Sequence, residues 1–233
     1  MAKVILIPTV LYEGVTAPLP QYITEALHSC THFFVEHERT ARRYIKILTK
    51  DFDIDSRKWY SMKEVTPQVV QQFLAILNSN AIIGVLSEAG CPGVADPGQQ
   101  LVALAQNKGV AVQPLVGPNA ILLALMASGM NGQHFRFAGY LPIDAAERSR
   151  SIKSLETESA QKECTQIFIE TPYRNNQLLE TLLKTCAPQT RICIGVDITA
   201  PTESIVTKTV AKWKSTVPQL HKRPAVFLLQ AGG

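Results

Sequence analysis

Short apolar runs alternate along this chain with amphipathic stretches, and that alternation predicts an α/β architecture. Residues 4–7 read as a first strand, 21–28 as a short helix after Pro18 and Pro20, and 33–36 as a second strand. A basic helix follows over 40–48. Thr66-Pro67 marks another helix start, with a capping hydroxyl before a proline at the first helical position. Behind it Val69, Val70, Phe73, Leu74 and Leu77 form an apolar stripe. The run 81–86 reads as a buried strand, 99–108 as a helix and 110–115 as a further strand. None of these runs approaches the length needed to span a bilayer.

A break falls at Gly117-Pro118. The segment 119–128 is almost wholly apolar and is expected as a helix buried between two layers. Residues 144–162 are polar, an exposed helix or a loop. Strand signals return at 166–170, 191–196, 203–207 and 225–229, and leucines at 178, 179, 182 and 183 mark a helix over 176–185. The expected fold is therefore two α/β lobes with mixed sheets, residues 1–116 and 117–233.

The stretch Ser87-Glu88-Ala89-Gly90-Cys91-Pro92-Gly93-Val94-Ala95-Asp96-Pro97-Gly98 holds the chemistry. It joins a strand to a helix, where open α/β sheets bind ligands. Gly90, Gly93 and Gly98 permit positive φ and close approach of a ligand to the backbone. The loop has two carboxylates and no Lys or Arg. It therefore suits a ligand with hydroxyls and positive charge rather than a phosphate.

Composition narrows the picture little further. At 46% hydrophobic and 18% charged residues the chain is globular, and a net charge of +4 permits a nucleic-acid partner without arguing for one. Five scattered cysteines without metal-site spacing read as reduced thiols of a cytoplasmic protein. The opening Met1–Pro8 reads as a strand rather than a signal peptide. His28 and His32 share an i, i+4 spacing, yet no nearby carboxylate completes a metal signature, so no metal is expected. Dinucleotide, Walker and nucleophile-elbow fingerprints are missing. The basic run Arg39, Arg42, Arg43, Lys46, Lys50 and the looser group Lys208, Lys212, Lys214, Lys222, Arg223 read as solvated faces that could touch RNA phosphates. Glu36-His37-Glu38-Arg39 and Glu170-Thr171-Pro172-Tyr173-Arg174 each place a carboxylate and a guanidinium where a strand meets a helix.

Leu6-Ile7-Pro8-Thr9, Glu36 with Arg39, the 87–98 loop, Pro114-Leu115-Val116-Gly117-Pro118-Asn119-Ala120, Phe137-Ala138-Gly139-Tyr140-Leu141-Pro142 and Glu170–Arg174 occur in one order. In that order they resemble the tetrapyrrole-methylase-like (class III) S-adenosylmethionine-dependent methyltransferases. Within that class they are most similar to the ribosomal RNA small-subunit methyltransferase I family, which methylates a cytidine ribose 2′-oxygen. The resemblance implies S-adenosyl-L-methionine in a cleft between the lobes, a homodimer, and ribosomal RNA or the small ribosomal subunit as partner. It implies cofactor contacts at Pro8, Ser87, Glu88, Gly90, Val94, Asp96, Asn119 and Ala120, with Pro224 and Ala225 at the adenosine end. For proton removal from the acceptor it leaves Glu36, oriented by Arg39 and Arg174, as the catalytic candidates.

The sequence also departs from the family pattern. Val10-Leu11-Tyr12-Glu13-Gly14 replaces Pro-Ile-Gly-Asn, and the loop carries Glu88, Cys91 and Ala95 for Asp, Thr and Asn. Val196-Asp197-Ile198-Thr199-Ala200 stands where Arg-Glu-Leu-Thr-Lys is usual, and Arg223-Pro224 replaces Gly-Glu. The sequence ends before the extra C-terminal segment of longer members. These departures keep two alternatives open: a methylase of a tetrapyrrole or other small molecule, and a non-catalytic S-adenosylmethionine-binding protein.

Overall fold

The computed structural model describes residues 2–232, which form two units divided between Asn119 and Ala120. The first unit holds β1 (Lys3–Leu6), α1 (Ile23–Ser29), β2 (His32–Val35), α2 (Glu38–Leu48), β3 (Lys58–Ser61), α3 (Pro67–Leu77), β4 (Ile82–Leu86), α4 (Gly98–Asn107) and β5 (Ala111–Pro114). Its sheet has the order β3-β2-β4-β1-β5, and every pairing is parallel.

Both faces of the sheet centre are covered, so the central strands β1 and β4 read as nearly continuous apolar runs. Successive side chains go to opposite faces. Ile5, Phe33 and Val35 pack with Ile23, Leu27, Ala41, Tyr44 and Ile45 of α1 and α2. Val4, Phe34, Ile83 and Val85 pack with Phe73, Ile76, Leu77, Leu101 and Ala105 of α3 and α4. Thr66 caps α3 by accepting the Val69 N–H, which contributes about 1 kcal/mol.

The second unit holds α5 (Ala120–Ser128), β6 (Phe135–Tyr140), α6 (Ala145–Lys162), β7 (Thr165–Ile169), α7 (Asn175–Thr185), β8 (Arg191–Val196), β9 (Ser204–Thr209), α8 (Val210–Ser215) and β10 (Ala225–Gln230). Its sheet, β6-β7-β10-β8-β9, is mixed: β6 and β7 run parallel and the other neighbours antiparallel. Leu178, Leu182, Ile152 and Trp213 from α7, α6 and α8 join Phe168 and Phe227 of the strands in one core.

Three elements are invisible in the sequence pattern. β3 is a half-exposed edge strand, β6 is interrupted by a register shift between Phe137 and Gly139, and α8 is under two turns long. One expectation is corrected, and one open alternative is decided. The apolar helix α5 buries only one side: Ala124 and Leu125 are covered, whereas Met126 is 79% exposed. Residues 145–162 are a continuous helix, because Asp144 accepts the N–H groups of Ala146 and Glu147 at its start.

Candidate functional site

In the first unit α1 and α2 lie on one face of the sheet and α3 and α4 on the other. The chain leaves neighbouring strands β1 and β4 toward opposite faces, and this switch point opens a crevice at their carboxyl ends. The two exit loops are tied together there. Thr9 N–H donates to the Gly90 carbonyl at 2.8 Å, and the Thr9 hydroxyl donates to the Ser87 carbonyl at 3.3 Å.

The 87–98 loop holds its own shape. Asp96 Oδ2 accepts the Gly93 N–H at 2.8 Å and Oδ1 accepts the Gly98 N–H at 2.7 Å, so one carboxylate clasps the loop and the start of α4. Gly90 takes a left-handed φ of +74°. Gly98 does not use the positive φ that glycine permits. A Cβ there would lie 2.8 Å from Asp96 Oδ1, so glycine is required for the clasp to close. Ala95 has φ +59°, a conformation that costs an L-residue roughly 1 kcal/mol.

Glu36 leaves the end of β2, and its Oε1 accepts the Glu88 N–H at 2.8 Å. Glu36, Glu88 and Asp96 thus gather around one loop. Burial pushes the Asp96 carboxyl above its ordinary range, the Gly93 and Gly98 N–H groups pull it back, and the charge of Glu36 pushes it up again. Glu88 is likewise raised, first by burial.

Beside the loop is a pocket of about 200 Å3. Thr9, Thr40 and Ser87 bring hydroxyls to its lining, Glu13 and Glu88 carboxylates, and Val10, Leu11 and Ile47 apolar walls. Arg43 at its rim is paired with Glu13 at 3.0 Å. The Tyr44 hydroxyl donates to the Pro8 carbonyl at 2.6 Å and anchors α2 against the β1 exit. Sequence reasoning does not single out Thr40 or Tyr44, whose only signal is position in the first turns after the Glu36 junction, and it reads Arg43 only as part of the basic run.

Ser87 and Glu88 line this pocket; Pro8 and Gly90 are buried outside its lining, and Val94 is exposed on the loop. Arg39 is exposed on the first turn of α2. Asn119 ends the first unit and Ala120 opens α5. In the second unit, Arg174 donates to Glu170 Oε1 at 2.6 Å, and the buried Glu170 also accepts the Thr171 N–H. Pro224 accepts the Asp197 N–H through its carbonyl at 3.0 Å, just before buried Ala225. His28 bonds Thr49 and His32 bonds Thr31, on different elements. Among the described residues no group of three His, Cys, Asp or Glu could hold a metal, and no helix is long and apolar enough to cross a membrane.

No family model matches the chain. In fold it is similar to the methyltransferase CobJ, with a TM-score of 0.63 and 17% identity over 99% of this chain and 93% of that one. It is also similar to uroporphyrin-III-C-methyltransferase from Thermus thermophilus, with a TM-score of 0.55 and 16% identity over 98% and 91%. The fold is that of the tetrapyrrole methylases. In sequence the chain is 30% identical over 200 residues to ribosomal RNA small subunit methyltransferase I of Vibrio cholerae, covering 86% of this chain and 66% of that protein. It is 34% identical over 139 residues to the protein of that name from Mesorhizobium japonicum, covering 60% and 46%. The chain is a homologue of the ribosomal RNA small subunit methyltransferase I proteins. It spans between about half and two thirds of the length of these relatives.

Proposed function

We propose that the chain is an S-adenosylmethionine-dependent methyltransferase acting on ribosomal RNA, at a cytidine ribose 2′-oxygen. The observation that carries this reading is the loop at the β1/β4 switch point, where Glu36, Glu88 and Asp96 meet with no Lys or Arg in the loop. A cofactor with a sulfonium, an amino group and ribose hydroxyls but no phosphate matches that donor set. The adjoining pocket, with carboxylates, hydroxyls and apolar walls, suits a nucleoside. The relatives bearing the ribosomal RNA name favour RNA over a small acceptor. The same reading carries a homodimer and the small ribosomal subunit as partner, in the cytoplasm.

When bound, S-adenosylmethionine supplies an electrophilic methyl carbon on a sulfonium. The residues of this chain then have three tasks: hold the loop, exclude water and receive the acceptor's proton. Asp96 holds the loop shut, and Glu36 ties it to the end of β2 with one oxygen. The second Glu36 oxygen is our candidate for accepting the 2′-hydroxyl proton, with Arg39 one turn away to orient the acceptor. Ser87 and Glu88 bind hydroxyls or the amino group.

Calorimetric titration with S-adenosylmethionine and S-adenosylhomocysteine tests the cofactor half. Micromolar binding is expected, and methyl transfer to under-methylated small subunits should follow. A folded protein that binds neither compound would sink the reading.

A further inference from the structure

On the second unit, the edge strand β9 and helix α8 border a groove of about 490 Å3. Arg191, Lys208 and Lys212 line it together with the hydroxyls of Thr209, Ser215 and Thr216. No carboxylate lines it. Among the described residues none of these three cations forms an ion pair, whereas Arg136, Lys162, Lys184, Arg174 and Arg223 all do.

Two of the three cations are held in place by neutral groups. The Lys208 ammonium lies 4.7 Å from the Trp213 ring centroid and donates to the Thr216 hydroxyl at 3.0 Å. Arg191 donates to the Gln230 side-chain carbonyl at 2.8 Å. Like charges gathered without a counter-ion repel one another. Fixing them with neutral ring, hydroxyl and carboxamide partners keeps their charge available for a ligand. Cationic side chains with hydroxyl donors are the groups that contact nucleic-acid phosphates, and such contacts position a strand without reading its sequence.

We propose that this groove binds phosphate oxyanions, supplied by the phosphodiester backbone of an RNA. RNA as the source rests on the methyltransferase reading above; the anion groove does not. Of the second basic group in the sequence, only Lys208 and Lys212 belong to it. Arg223 is bound to Asp197 instead.

The test uses the full chain and a short fluorescein-labelled RNA oligonucleotide, followed by anisotropy across a salt series. The double variant Lys208→Gln/Lys212→Gln should lose roughly tenfold or more in affinity at low salt. Its log–log salt slope should shrink by about 0.7–0.9 for each lost contact. Lys212→Gln alone changes an exposed side chain, so it leaves folding intact and should show the single-contact loss. Unchanged affinity and slope in both variants would overturn the proposal and leave the lysines as guards against edge-strand pairing. Calorimetry with inorganic tripolyphosphate separates the sources. If the variants lose tripolyphosphate but keep RNA, a free phosphate compound occupies the groove and the RNA assignment is overturned. S-adenosylmethionine titration of the same variants should match wild type. Failure of wild type to bind the cofactor would count against the methyltransferase reading and not against the groove.

Discussion

Glu36 Oε1 and the backbone N–H of Glu88 meet at 2.8 Å across 52 positions of chain, joining the end of β2 to the loop after β4. A hydrogen bond to a charged acceptor contributes roughly 1.5–3 kcal/mol. Glu36→Ala should therefore weaken S-adenosylmethionine binding about tenfold by releasing the loop. Glu36→Gln keeps an acceptor for Glu88 and removes the proton acceptor, so binding should persist while turnover falls. Calorimetry and single-turnover methyl transfer check the pair; equal turnover in Glu36→Gln and wild type removes Glu36 from proton transfer.

Asp96 spends both oxygens on the loop's own backbone, at Gly93 and Gly98. Asp96→Ala should lower Tm by roughly 5–10 °C, from about 2–3 kcal/mol lost at about 2–4 °C per kcal/mol. Cofactor affinity should fall by about tenfold or more with it. A melt and a titration on the same sample measure both.

Ala95 sits at φ +59°, where the family pattern has Asn. Asn tolerates the left-handed region and glycine adopts it freely. Ala95→Gly and Ala95→Asn should each raise Tm by roughly 1–4 °C. A fall in Tm for both would mean that this loop is not held left-handed in solution.

Glu156 is buried on α6. Burial alone would raise its carboxyl, but Lys153, the Thr190 hydroxyl and the Ala187 N–H more than offset that and hold it below its ordinary 4.5. A depressed carboxyl stabilises the fold above the unfolded value and loses that stabilisation as pH falls through the folded value. Glu156→Gln should be less stable than wild type by roughly 1–3 kcal/mol at pH 7. The gap should close as the pH is lowered below 4.5. Denaturant melts at the two ends of that range give the comparison.

Burial raises all five thiols, Cys30 and Cys186 to about 12, and Cys91, the half-exposed one in the loop, is raised as well. The native protein should react with a thiol reagent at pH 7.5 much more slowly than the unfolded chain. Fast modification of Cys91 in the native protein would contradict this.

Periodicity made the long and the central elements legible. The runs at 81–86 and 192–196 are flanked by neighbours on both sides, so every residue is apolar and the strand announces itself. Thr66-Pro67 announces α3 because capping chemistry is local. Edge strand β3 and the bulged β6 gave no such signal, since half their surface meets solvent or breaks the period of two. Helix α5 misled for the opposite reason: apolar residues all round do not show which side is covered.

At the site, the composition of the 87–98 loop alone established its acidic, cation-free chemistry, because residue type determines charge wherever the chain goes. Which groups meet is a matter of distance between remote segments. Only the parallel order β3-β2-β4-β1-β5 brings the β2 end, the β1 exit and this loop to one edge, turning Glu36 into the loop's anchor. Only the β8–β9 pairing and the turn into α8 gather Arg191 with Lys208 and Lys212. Local chemistry is written residue by residue, whereas contacts are decided by strand order and register.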